Sequence, residues 1–154
     1  MFTTYKVLLT LHILAAVIWV GGAAMLQLLG IRATRAPSPE HQAGFAADVE
    51  FVAMRTLLPA SLVLIVTGVW LVHEGSWSFG TAWVSIGLAV WIVSALTGAL
   101  FLGPQSGKLS KEIETLGIRS PAAQERLRTI FLTSRVELVL LLLVVCDMVL
   151  KPGQ

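Results

Sequence analysis

Four ionisable side chains sit in or at the ends of long apolar runs, where ionisable groups are costly and mark function by default: His12, His73, Glu137 and Asp147. Two neutral imidazoles that face each other across a helical bundle can ligate a haem iron or a small metal ion. His12 and His73 are the candidates for that chemistry, as cofactor and metal ligands. Around His12 the chain is small-sided (Ala15, Ala16, Gly21, Gly22, Ala23, Ala24), with Trp19 seven positions on and on the same helical face, which suits a flat cofactor. Trp70 stands three residues before His73. The competing reading of His12 is a hydrogen-bonded structural or proton-handling histidine. Small residues also let membrane helices pack closely, and terminal tryptophans also mark the interface. Arg55, Arg135 and Glu137 read as an ion-pair group at one membrane rim. Asp147 and Lys151, four apart, read as a pair along one helix at the other rim. Cys146 reads as packing and His41 as a solvated loop residue. No catalytic constellation is present, and the lone cysteine excludes a disulfide framework or a cysteine-based metal site.

These residues need elements to hold them, and composition says which. The 154-residue chain is 56% hydrophobic and 13% charged, with a mean hydropathy of +0.82, against about 25% charged residues in an ordinary soluble domain. The expected fold is all-α, an integral membrane four-helix bundle in a single domain. Spans are expected at about residues 7–31, 56–73, 82–102 and 129–150, with loops at 32–55 and 103–128. The first run is too long for a signal h-region, and its basic residues follow it rather than precede it, so it reads as a retained helix. Gly103-Pro104 reads as the stop of the third span. Ser120-Pro121 reads as an N-cap and first helical residue, opening a helix that continues to Leu150. That helix overshoots a bilayer, so its start projects beyond the membrane. Residues 39–55, with Phe45, Val49 and Val52 at helical spacing, read as an interfacial lead-in to the second span.

The basic residues set an orientation. Arg32, Arg35 and Arg55 lie in one loop, and Lys108, Lys111, Arg119, Arg126, Arg128 and Arg135 lie in or beside the other, leaving only Lys6 and Lys151 for the opposite side. By the positive-inside rule both loops are cytoplasmic and both termini outside. The net charge of +2 is therefore a matter of topology, and no nucleic-acid partner is expected.

Three stretches carry a resemblance. The opening "LHILAAVIWVGG", the second span "MRTLLPASLVLIVTGVWL" and the closing "SRVELVLLLLVVCDMVLKPG" resemble helices of four-helix bacterial membrane proteins related to the copper-resistance D family, and of the HemJ-type protoporphyrinogen oxidases. The likeness touches three of four helices in order, with Val136-Glu137 where Asn-Glu is typical. It implies a bacterial inner-membrane protein binding haem b, with His12 as the matching ligand. The oxidases complete their active site with a lysine in the third helix. Here that span has no lysine, and Ser85 stands near the place. The leading expectation is thus a b-type haem protein of electron transfer or redox sensing, not primarily an enzyme; if one, it is a haem-dependent membrane oxidoreductase. Its partners would be the lipid bilayer and quinone or another membrane redox protein, with a homo-oligomer or complex subunit as the assembly. The alternatives are a structural subunit, a copper-handling protein (Met25, Met54 and Met148 being soft ligands) and, more weakly, a HemJ-like oxidase.

Overall fold

The computed structural model describes residues 3–34, 48–49 and 51–152. His41, Arg35 and most of the expected lead-in lie outside the described residues. The chain is built from helices α1 (Thr4–Thr34), α2 (Leu58–Glu74), α3 (Ala82–Leu96), α4 (Gly103–Leu116) and α5 (Pro121–Leu150), and two π-helical turns interrupt them, Ala53–Leu57 before α2 and Thr97–Leu102 between α3 and α4. Four continuous helical bodies, Thr4–Arg32, Ala53–Glu74, Ala82–Leu116 and Pro121–Leu150, are long and apolar enough to cross a membrane. Large apolar side chains point outward along all four, Val17, Val66, Leu100 and Val149 among them. A soluble bundle would bury that surface, whereas lipid tails solvate it.

α1 packs most extensively along α2, and α3 along α5; α1 also touches α5, while α2 and α3 meet only sparsely. Going round the bundle, the order is therefore α2, α1, α5, α3. One bond crosses the thin α2–α3 seam, from Trp91 Nε1 to the Ser61 carbonyl at 3.2 Å.

The two π turns have one cause. A proline inside a helix lacks the N–H that would bond four residues back, and its ring crowds that carbonyl. Pro59 and Pro104 each stand two residues after a π turn. In each case the residue just before the proline donates five residues back, Leu58 to Ala53 and Gly103 to Gly98. The widened turn absorbs the mismatch and the helix goes on. This corrects the expectation that Gly103-Pro104 ends the third span and that residues 103–128 form a loop: the helix runs on as α4 to Leu116.

Beyond that point α4 and α5 form a helical hairpin. Gly117, at φ +78°, ends α4 in a backbone conformation that favours glycine. Ser120 caps α5 as expected, its hydroxyl accepting from the Ala123 N–H at 3.3 Å. Leu109, Ile118 and Ala123 are buried at the hairpin's centre. Arg126 of α5 ties α4 down, donating to both carboxylate oxygens of Glu112 (2.7 and 2.6 Å) and to Gln105. Ser120→Ala is expected to lower stability by about 1 kcal/mol, seen as a lower thermal midpoint in detergent with the helix content unchanged.

At the opposite end the loop after α2 brings Trp77 edge-on to Trp83, with ring centroids 4.4 Å apart. Both join Val72, Val84 and Met148 in a small core. Lys151 ends α5 in the left-handed conformation, which swings its ammonium to 4.0 Å from the Trp77 centroid and 5.3 Å from that of Trp83. The expected Asp147–Lys151 pair is therefore not formed. Lys151 is held by the ring faces through cation–π attraction.

Candidate functional site at His12

His12 lies about 12 Å along α1 from Thr4, at 1.5 Å per residue, on the face that packs against α2. Its Nδ1 is 3.0 Å from the Leu64 carbonyl oxygen and 3.2 Å from Thr67 Oγ1. A carbonyl only accepts, so Nδ1 carries the proton and donates. The Thr67 hydroxyl spends its own proton on the Val63 carbonyl at 2.6 Å, which leaves its lone pairs facing His12. The Cε1–Nδ1 edge of the ring comes close to α2 because residue 68 has no side chain: a Cβ there would sit 3.0 Å from His12 Cε1 and 3.4 Å from Nδ1.

In the neutral ring these contacts put the proton on Nδ1 and leave Nε2 as the acceptor, and among the described residues Nε2 bonds to nothing. A histidine that donates Nδ1–H to a backbone carbonyl and presents Nε2 is in the state in which histidines bind metals, its ring orientation fixed by the outer bond. The one nitrogen donor present, His12 Nε2, would suit holding a haem iron. Thr67→Val is expected to cost up to roughly 1.7 kcal/mol, the upper end for a hydrogen bond between membrane helices, and Thr67→Ser to restore it. Equilibrium unfolding in detergent reads the difference.

The other candidates are dispersed. His73 is exposed at the end of α2, its ring edge-on to Phe79 at 6.1 Å between centroids. It stands six residues beyond Thr67, about 9 Å along the axis and roughly 240° round the helix, so the structure does not bring it to His12. Trp19 is partly buried two turns below His12, and Trp70 is exposed. Gly22 admits Leu57, whose Cδ2 would lie 2.5 Å from a Cβ at that position; this notch serves the contact of α1 with the π turn that leads into α2. Met25 and Met54 are exposed and Met148 packs in the tryptophan core. Among the described residues no three His, Cys, Asp or Glu side chains converge.

The rim ion pair expected of Arg55, Arg135 and Glu137 is also absent. Arg55 is exposed, its guanidinium 5.6 Å from the Phe51 ring centroid, and Arg135 is exposed. Glu137 turns inward toward Ser94 of α3. Among the described residues the ion pair that does form is Arg126–Glu112. Sequence reasoning missed Leu64, Thr67 and Gly68. The Thr-Gly step at 67–68 was visible, but only the helix pairing shows that it seats the histidine.

The model of a family described as predicted integral membrane protein (DUF2269) matches residues 6–152. No curated protein and no solved structure matches the chain.

Proposed function

The chain belongs to the DUF2269 family of predicted integral membrane proteins, and from that premise we propose that it is a membrane haem-b protein, with His12 Nε2 as an axial ligand, acting in electron transfer or redox sensing. The observation that carries this reading is the Nδ1 bond to the Leu64 carbonyl, which orients the ring and leaves Nε2 free to hold a metal. Haem, when bound, supplies a one-electron couple. The chain's own residues do the rest. Leu64 and Thr67 set the tautomer, Gly68 lets the ring approach α2, and the apolar surroundings keep the site at low dielectric. In this proposal both termini face outward, which places His12 in the outer half of a bacterial inner membrane. Quinone or a second membrane redox protein is the exchange partner.

The test is the absorption spectrum of detergent-purified protein, oxidised and dithionite-reduced, with a pyridine haemochrome assay. About one b-type haem per chain is expected. A featureless visible spectrum from haem-replete cells contradicts the proposal.

A second reading has its own support. The same two His12 bonds, with Leu57 seated at Gly22, tie α1 to α2, as a structural subunit of a larger complex would need. That reading predicts a colourless protein that co-purifies with fixed partners. Copper handling predicts bound metal without a tetrapyrrole, and the dispersed methionines give it less support. HemJ-like oxidation would have to proceed without a lysine in α3.

A further inference from the structure

α3 and α5 run antiparallel, and one contact sets their register: a Cβ at Gly87 would overlap the Met148 terminal methyl and lie 3.9 Å from Val144 Cγ2. Seven residues is close to two full turns, so it returns to the same helical face. Seven residues on from Gly87 is Ser94, and seven back from Val144 is Glu137. The two therefore meet at one level on facing sides. Ser94 is only 3% exposed and its hydroxyl makes no hydrogen bond among the described residues; it faces the Glu137 carboxyl. Ser94 lies eight residues, roughly 12 Å, from Leu102 and about 18 Å from Ala82, so the pair is inside the membrane.

We propose that Glu137 and Ser94 form a proton-binding site within the membrane, at the α3–α5 interface, whose carboxyl takes up and releases one proton. A carboxylate with no cation partner is costly in hydrocarbon, whereas the neutral acid is accommodated and a hydroxyl can serve either form, donating to the carboxylate or accepting from the acid. The exchange is simple: an O–H bond forms on one carboxylate oxygen, and the proton comes from water and returns to it. No other reactant is needed, and the site does not depend on haem.

The charged and titratable groups on the packed elements are few. Residues 82–102 of α3 and its π turn contain none. α1 offers Tyr5 and Lys6 at one end, Arg32 at the other and His12 between, on the face turned to α2. α4 holds Lys108, Lys111, Glu112 and Glu114 in the hairpin. On α5 itself Arg135 is exposed, while Glu125, Arg126 and Arg128 toward its start and Cys146, Asp147 and Lys151 toward its end each stand nine or more residues, about 13 Å or farther, away.

The experiment is infrared difference spectroscopy of the full chain in lipid, stepped from acid to alkaline pH and back. The expected result is a protonated-carboxyl C=O band that titrates reversibly, disappears in Glu137→Gln and persists in Asp147→Asn. Ser94→Ala should displace its midpoint, and circular dichroism checks that each variant is folded. A band untouched by Glu137→Gln, a Glu137 ionised at every pH, or one that never releases its proton would overturn the proposal. A midpoint unmoved in Ser94→Ala would overturn the part given to the serine.

Discussion

His12→Ala is expected to abolish the haem absorbance of the purified protein while leaving it inserted and helical. The two halves of that result have different causes. In the proposed site the ligand bond would reside in one atom, Nε2, and alanine offers nothing in its place. The fold depends on four long apolar helical bodies and on the α1–α2 and α3–α5 contacts. His12 adds hydrogen bonds to Leu64 and Thr67, and bonds of this kind between membrane helices contribute about 0.6 kcal/mol each on average. A loss of that order lowers the thermal midpoint by a few degrees. The measurement is a paired one: haem content by pyridine haemochrome and helix content by circular dichroism on the same preparation. Loss of both together would make His12 a folding residue and favour the structural reading.

Gly68→Val is expected to weaken haem binding markedly although every candidate ligand is still present. The imidazole lies against the α2 backbone at the one position where a Cβ would be 3.0 Å from Cε1. Such a separation obliges the neighbour to give by a few tenths of an ångström, and that neighbour is a rigid ring without a flexible end to fold away. A β-branched side chain adds two more carbons that keep to few rotamers. The ring must then leave Leu64 and Thr67, and Nε2 loses its direction. A weakening of more than tenfold, equivalent to about 1.4 kcal/mol, is the expected effect in a haem-binding titration, with Gly68→Ala between it and the wild type. Equal affinities for wild type and Gly68→Val would show that the seat on α2 does not orient the ligand.

How far the amino-acid order discloses this molecule varies with the range of the interaction. The four spans follow from long uncharged runs, and the cap at Ser120 follows from a local signal, Ser before Pro. Both are properties of neighbouring residues, and both are present in the structure. Gly103-Pro104 misled for a physical reason. Proline normally stops a helix, but a π turn shifts the hydrogen-bond register and lets it continue, and nothing local announces that outcome. The paired charges misled too. Spacing four apart permits an Asp147–Lys151 pair, but the left-handed turn at Lys151 and two indoles brought by another loop decide where the ammonium goes. For the candidate site, His12 stands out as an imidazole inside an apolar run. Its seat does not, because Leu64, Thr67 and Gly68 lie more than 50 residues away, and a backbone carbonyl has no letter in the sequence. His73 illustrates the same limit: depth can be counted along a helix, but whether two side chains meet depends also on rotation about α2.

The most direct test of His12 as the axial ligand is chemical rescue. His12→Gly deletes the imidazole and leaves a space of its shape beside Gly68, which free imidazole can fill. The account predicts that His12→Gly purifies without haem absorbance, and that adding haem with imidazole restores a b-type spectrum at about one haem per chain. Haem bound as well by His12→Gly without imidazole as by the wild type would contradict it.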